Sequence, residues 1–366
     1  MKIVHVITLA ELGGAQSVVL NLASESILHG DEVMVASSVP GELWNTLPKA
    51  VHQYKIQVLQ RKISWSDDIA VIRELRRINT HFKPDIVHLH SSKIGILGRL
   101  AFPSSKIIYT IHGFDSIRIA FPKFLPLERV LQNRSRYTVG VSMYDLANLA
   151  KEGINRNINC IYNGIIDRYE SDQLTERKGM TELEDKILSK SGFRVMCIAR
   201  ISPQKKFDLF CEIAAKMENE DIQFFWIGNK QEVTNLPANV HCLGQVEDAH
   251  QLLKYADLFI LPTNYEGMPI SIIEALCYSV PVIASNVGGI PEMLDGNNGL
   301  AVENNVEAFS SAILRYSRDR YYLEMAREAA RKSYENHFTV QKMYAAYLKL
   351  YQSISKITSH PSAYVM

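Results

Sequence analysis

The 366-residue sequence has no Gly-x-Gly-x-x-Gly and no Cys-x-x-Cys. The first absence removes the usual fingerprint of a dinucleotide oxidoreductase, the second that of a zinc knuckle or a redox pair. Cysteine is scarce as well. Cys160, Cys197, Cys211, Cys242 and Cys277 are odd in number and widely spaced, which does not fit a disulfide framework and suits a reducing cytoplasm. No apolar run reaches the roughly 18 residues that a membrane span requires. Excess charge is also missing: 40 Lys+Arg stand against 39 Asp+Glu, so no global basic field points to nucleic acid. The balance hides an asymmetry, because residues 1–165 hold 19 Lys+Arg and 13 Asp+Glu, a net +6, and the remainder is acidic.

What is present is ample apolar content, 47%, spread over a chain long enough for two domains. Short β-rich runs alternate with helical stretches. "KIVHVIT", "DEVMVASS", "DIVHLHS", "KIIYTIHG", "YTVGVS" and "INCIYNGI" read as strands in the first half, several of them continuously apolar, as expected of a parallel sheet covered on both faces. The opening "MKIVHVITLAELGG" reads as a buried first strand rather than a leader, because a Gly-Gly turn and an amphipathic segment follow at once. That segment places Val18, Leu22 and Ala23 on one face and stops at Gly30. Residues 166–192 are polar, highly charged and strand-free, a domain junction between residues 1–165 and 193–340. The pattern then restarts with "FRVMCIAR", "IQFFWIG", "VHCLG", "LFILPT" and "VPVIAS". From about Arg318 to Ile357 the sequence is helical, and Tyr344, Tyr347, Leu348 and Tyr351 recur at the spacing of a packing stripe. Two doubly wound domains place ligands at the carboxyl ends of their strands, in a cleft.

The loops at those ends carry chemistry. In "NYEGMPISIIEALCYS" the carboxylates Glu266 and Glu274 are eight positions apart, with Pro269 suited to the first position of a helix between them. Eight helical residues span roughly 12 Å. A hydrolase pair needs about 5 to 9.5 Å between its carboxyls. The spacing therefore disfavours an acid/base pair and suits two separate grips on one extended ligand, with a helix N-terminus available to a phosphate between them. "ARISPQKK" follows a strand of the same domain and offers Arg200, Lys205 and Lys206 as a clamp for a diphosphate.

Nearly the whole chain resembles the retaining glycosyltransferases of family 4. The family's Glu, seven residues, Glu signature stands here as "EGMPISIIE" and its basic loop as "ARISPQKK". "ADLFILPTNYEG" and "GGIPEMLDGNNGLAV" follow in order, and "ELGGAQSVVLNLA", "DIVHLHS", "TIHG", "VS" and "YNGIID" match in the first half. The resemblance implies the α/β GT-B fold, two Rossmann-like doubly wound domains facing across a cleft, with a C-terminal helix near residues 340–357 packing back on the first. It implies that Glu266 binds donor-sugar hydroxyls beside the amides of Gly267 and Met268, and that Glu274 takes the ribose hydroxyls. Arg200 and Lys205 would neutralise the diphosphate. His112 would sit close to the anomeric centre, and Gly13 and Gly14 would let the first turn approach the substrates. In two places the chain departs from the family: the glycine before the arginine is Ala199, and the glycine after the lysine is Lys206.

The activity so implied is a retaining, metal-independent hexosyl transfer from a nucleotide-diphosphate sugar, by family habit a UDP-sugar, to a glycan or polyprenyl-diphosphate-linked glycan in bacterial surface polysaccharide synthesis. No cofactor and no nucleic-acid partner is implied. Asp-x-Asp, with which single-domain transferases hold a divalent ion, is absent from the chain. The alternatives are a sugar-nucleotide epimerase or phosphorylase of the same fold, or an inactive glycan-binding partner subunit. "VHLH" puts His88 and His90 on one strand face with no third ligand near in sequence, so a metal is not expected there. Lys93, Arg99, Lys106, Arg118, Lys123, Arg129, Arg134 and Arg136, interleaved with "RIAFPKFLPL", suit either a solvated face or an anionic membrane surface at the inner side of the cell membrane.

Overall fold

The computed structural model describes residues 1–169 and 181–359. It divides into two compact units, the first comprising residues 1–166 and the chain from Val340 onward, the second Asp167–Thr339. Each is built on one parallel sheet.

The first sheet has seven strands: β1 (Lys2–Ile7), β2 (Glu32–Ser37), β3 (His52–Lys55), β4 (Ile86–His90), β5 (Ile107–Ile111), β6 (Tyr137–Gly140) and β7 (Ile158–Cys160), in the order β3-β2-β1-β4-β5-β6-β7. Strand order reverses between β1 and β4, where His5 stands opposite His88 and Ile7 opposite His90. β1, β4 and β5 are buried on both faces, which accounts for their continuous apolar character. Between β1 and β2 the helix Gly14–Leu28 buries Val18, Leu22 and Ala23 and ends at Gly30, whose φ of 79° is the left-handed stop a glycine adopts without strain.

The second sheet has six: β8 (Phe193–Ile198), β9 (Ile222–Ile227), β10 (Val240–Cys242), β11 (Leu258–Leu261), β12 (Val282–Ser285) and β13 (Gly299–Val302), in the order β10-β9-β8-β11-β12-β13. Its reversal lies between β8 and β11. Phe210, Phe224 and Trp226 fill one side with edge-on ring contacts.

Two strands have no counterpart in the sequence reading, and both are sheet edges. β3, "HQYK", is half polar and mostly exposed; β13 opens on Gly299, where a Cβ would stand 2.2 Å from the carbonyl oxygen of Val282. An edge strand with an exposed face needs no apolar run, and β3 has none; β13, "GLAV", is apolar but only four residues long and directly follows the turn-forming "DGNN", so it does not stand out as a strand. Part of the expected junction is ordered: Thr181–Leu188 is a helix held to the second unit by an ion pair between Glu184 and Lys254, 3.1 Å apart. Residues 170–180 of that junction lie outside the described residues.

The helical stretch expected from about Arg318 is two helices, Arg320–His337 in the second unit and Val340–Ser359 in the first. The amide of Val340 donates to the carbonyl of Ile165 at 2.8 Å. Tyr344, Tyr347 and Tyr351 then lie buried, and two of them point hydroxyls at the first sheet: Tyr351 Oη is 2.8 Å from His88 Nδ1, and Tyr347 Oη 3.0 Å from Thr110 Oγ1.

Candidate active site

In the second unit the loops after β8 and β11 stand side by side at the carboxyl edge of the sheet, at its switch point. Backbone and side-chain bonds stitch them together. Gln204 Nε2 donates to the carbonyl of Tyr265 at 2.7 Å, the amide of Asn264 donates to the carbonyl of Gln204 at 2.8 Å, and Asn264 Nδ2 reaches the carbonyl of Pro203 at 2.9 Å. Ser285, at the end of β12, accepts the Thr263 amide at 2.8 Å and is itself tied to Asn304. This frame holds Glu266. Lys205 Nζ donates to Glu266 Oε1, and the Thr263 hydroxyl reaches the same oxygen at 2.8 Å. Among the described residues no hydrogen bond occupies Oε2. The carboxylate is only 9% exposed, so its charge is held by Lys205 and Thr263 rather than by water.

Gly288 completes the frame. Its φ is +59°, and a Cβ there would fall 1.8 Å from the carbonyl oxygen of Glu266. Gly267 and Met268 are buried beside Glu266, and the helix Ile270–Cys277 begins directly after them, with Pro269 as its N-cap rather than its first helical residue. Glu274 lies one turn further along. Burial pushes its carboxyl up to about 7, against a partial opposing effect of the Arg168 charge, with Asp248 adding to the rise. Arg200 is exposed, and no hydrogen bond or ion pair fixes its guanidinium among the described residues. The two departures from the family pattern differ in consequence. Ala199 needs no unusual backbone, whereas Lys206 has φ 43° and ψ 54°, the left-handed conformation that explains a glycine elsewhere.

In the first unit Gly13 is extended, with φ 177°, and its carbonyl accepts the Ser17 amide at 2.9 Å; Gly14 opens the following helix. Neither position demands a glycine conformation. His112 follows β5 directly. Gly113 turns at φ 102°, and the next amide, that of Phe114, donates to Asp145 Oδ1 at 2.8 Å. Asp145 is buried, with its carboxyl pushed up to about 6 by burial, and it anchors the His112 loop.

The expectation that His88 and His90 lack a third neighbour fails. Pairing of β1 with β4 brings His5 beside them, and the ligand nitrogens of all three lie within 4.8 Å of one another. Their hydrogen bonds are nonetheless committed elsewhere: His88 to Tyr351 and Thr110, at 2.8 and 2.7 Å, and His5 Nδ1 to His90 Nε2 at 3.2 Å. A metal would have to break these bonds in a fully buried place.

In the basic stretch most charges have partners within the protein, although Lys123, Arg129 and Arg134 are also exposed. Lys93 pairs with Asp68, Arg118 with Asp115 and Arg129 with Glu152, while Lys106 and Arg134 donate to backbone carbonyls. Arg99 is buried against Glu128 at 2.6 Å, over the ring of Tyr109. Exposed side chains of this region include the apolar Ile119, Phe121, Leu127 and Val130 beside the basic Lys123, Arg129 and Arg134. No helix among the described residues is long and apolar enough to cross a membrane. A separate hollow of about 670 Å³ in the second unit, lined by Tyr169, Tyr278, Arg327 and Arg331 among others, contains none of the candidate residues.

Thr263, Gln204, Ser285, Gly288 and Asp145 were missed at the level of sequence. Thr263 and Gly288 lie inside stretches that carry the family resemblance, so their signal was position in a motif rather than chemical type.

Two parallel α/β units with a cationic and acidic loop pair at a strand switch point define the GT-B class. Solved structures agree over almost the full length: a glycosyltransferase from Rickettsia africae superposes with a TM-score of 0.80 at 21% identity, covering 97% of this chain and 98% of that one. Anabaena HepE, in complex with UDP and glucose, also gives 0.80, at 18% identity over 96% of this chain and all of its own. At the level of sequence, residues 12–168 match the model of Glycosyltransferase Family 4 and residues 192–319 that of Glycosyl transferases group 1. The chain belongs to glycosyltransferase family 4. Similar curated proteins include the UDP-Gal:alpha-D-GlcNAc-diphosphoundecaprenol alpha-1,3-galactosyltransferase of Escherichia coli, 28% identical, covering 93% of this chain and 94% of that protein. Another is the N-acetyl-alpha-D-glucosaminyl L-malate synthase of Bacillus anthracis, 25% identical with 94% of each chain covered.

Proposed function

We propose that this glycosyltransferase moves a hexose from a UDP-sugar to a lipid-diphosphate-linked glycan, with retention of anomeric configuration and without a metal ion, in the cytoplasm and on the path to a bacterial surface polysaccharide. The observation that carries the reading is the Lys205–Glu266–Thr263 assembly at the switch point of the second sheet. Glu266 keeps Oε2 for sugar hydroxyls, and Lys205 and Arg200 supply positive charge for a departing diphosphate. Gly267 and Met268 would offer backbone amides, and Glu274 would accept the ribose hydroxyls. In the first unit His112 would act near the anomeric carbon, beside the turn at Gly13 and Gly14.

The chemistry follows from what these groups can do. The bond from the anomeric carbon to the diphosphate oxygen breaks, its electron pair going to the phosphate, and the acceptor hydroxyl bonds to the same face. The hydroxyl proton passes to the departing phosphate oxygen. A carboxylate held by Lys205 and Thr263 is suited to binding rather than to nucleophilic attack, which supports a route without a glycosyl-enzyme intermediate. The choice of UDP and of a lipid-linked acceptor is supported by the E. coli relative, whose name contains both.

Incubating the protein with a panel of nucleotide sugars and a polyprenyl-diphosphate-linked N-acetylhexosamine tests this. Expected is transfer from one UDP-hexose that persists in EDTA, with an α-linked product from an α-linked donor by NMR. An inverted product, or activity abolished by EDTA and restored by a divalent ion, would overturn the corresponding part. Ile119, Phe121 and Val130 support a lipid surface as the place where the acceptor is met. Vesicle flotation that survives high salt would agree with an apolar contact, and no flotation would remove it.

A further inference from the structure

One face of the first sheet carries a line of imidazoles running from its middle to its carboxyl edge. His5 lies in the middle of β1, His90 ends β4, and His112 follows β5. His88 and His90 are two apart on one strand and so share a face; His5 is level with His88, and Thr110 with His90, which places His112 on the same side again. The nitrogens connect in series. His5 Nδ1 is 3.2 Å from His90 Nε2, and His90 Nδ1 is 3.1 Å from His112 Nε2. The His90 and His112 rings lie almost parallel, 18° apart. The two outer nitrogens, His5 Nε2 and His112 Nδ1, are buried and have no partner among the described residues.

A neutral imidazole has one N–H and one bare nitrogen. Burial lowers all three histidines far enough to keep them neutral, His5 to about 3 and His112 to about 4, with His90 also well below its ordinary value. In a series of neutral rings each bond needs one donor and one acceptor, so the choice made at one ring determines the others. Only two arrangements exist. Either every ring carries its proton on Nδ1, and the spare N–H lies at His112, or every ring carries it on Nε2, and the spare N–H lies at His5.

We propose that His5 and His90 are positioning residues that hold His112 as its Nδ1–H tautomer, making it a hydrogen-bond donor to an oxygen of the donor substrate. His5 is completely buried in mid-strand, where no ligand oxygen can reach its Nε2. An N–H stranded there would lose its water partners without replacement; His112 Nδ1 is buried too, but it belongs to a half-buried loop residue at the sheet edge, where a substrate seated against the loop can supply the acceptor. Phosphate oxygens only accept hydrogen bonds and sugar oxygens also accept them, so a donor at this end is the useful polarity. His88 stands outside the series, since Tyr351 and Thr110 occupy both its nitrogens. The proposal rests on the glycosyl-transfer reading for the identity of the ligand, but not for the tautomers.

Long-range proton–nitrogen correlation spectra of the full chain, labelled with ¹⁵N-histidine, show which ring nitrogen holds each proton; H5Q, H90Q and H112Q assign the signals. Expected in the wild type are Nδ1–H forms for His5, His90 and His112 together. An Nε2–H form at His112, or opposite forms at His5 and His112, overturns the proposal. In His90→Phe, with folding verified by circular dichroism, His112 should lose its single tautomer and kcat should fall at least 10-fold while the Kd for UDP stays within 2-fold. Unchanged kcat overturns the positioning role. Three Nδ1–H forms in a protein that transfers no sugar would leave the tautomer series standing and remove the glycosyl-transfer reading instead.

Discussion

Lys205 and Glu266, 61 residues apart in the chain, form an ion pair in which the ammonium and the Thr263 hydroxyl converge on one carboxylate oxygen. The family resemblance implies the diphosphate for the lysine and the sugar for the glutamate. The structure adds that each also positions the other. Lys205→Ala should therefore cost more than one phosphate contact: UDP binding should weaken and kcat should fall by 100-fold or more, because a buried carboxylate is left with Thr263 alone. Glu266→Ala should cut kcat as strongly while UDP binding stays measurable by calorimetry. Additive losses in the double variant would show that the pair does not act as a unit.

Gly288 is required by the approach of Glu266. Gly288→Ala puts a methyl within 1.8 Å of the Glu266 carbonyl oxygen, at a φ of +59°. The backbone must move, and a loss of about 3 kcal/mol or more is expected from the combined clash and strain. Urea unfolding measures it, and kcat should fall even in protein that is still folded at assay temperature.

Lys206 is a substitution with the opposite sign. Held at φ 43°, it bears a left-handed strain of about 1–2 kcal/mol that a glycine would not. Glycine's greater freedom in the unfolded chain recovers part of that gain. Lys206→Gly should stabilise the protein by about 0.5–1 kcal/mol, read as a rise in the urea midpoint at unchanged slope.

Glu274 makes stability depend on pH. Its carboxyl is raised from 4.5 in the unfolded chain to about 7 in the fold, chiefly by burial. Below the lower value both states hold the proton and nothing is lost. Between the two the folded protein retains a proton that the unfolded chain has released, so stability declines as pH rises through this window and levels off above it. The full effect is at most about 3 kcal/mol. Glu274→Gln should remove this part of the decline between pH 5 and pH 8 in urea melts, and should weaken UDP binding; an identical pH profile would show that Glu274 is ordinary in the fold.

Much of the fold was legible because buried parallel strands are written as solid apolar runs. β1, β2, β4 and β5 are of this kind, and so are β8, β9, β11 and β12. β3 was not legible, because its exposed "HQYK" has no such obligation, and β13 was not, because "GLAV" is a four-residue run directly after the turn-forming "DGNN". The partners of the basic residues 93–136 were not legible for a related reason. Charge is visible in sequence, but whether Arg99 meets water or the buried Glu128 depends on a helix packing 29 residues away.

Of the candidate site, the sequence by itself determined the chemical types and their order: a cationic loop after one strand, two carboxylates around a helix start, a histidine after β5. It did so because local chain geometry and motif spacing depend on near neighbours. The tertiary structure alone decided that Lys205 and Glu266 share one oxygen with Thr263, that Gly288 lies against the Glu266 carbonyl, and that His5, His90 and His112 connect in series. These are contacts between strands far apart in sequence, and they exist only once strand order and register have set which side chains stand opposite one another.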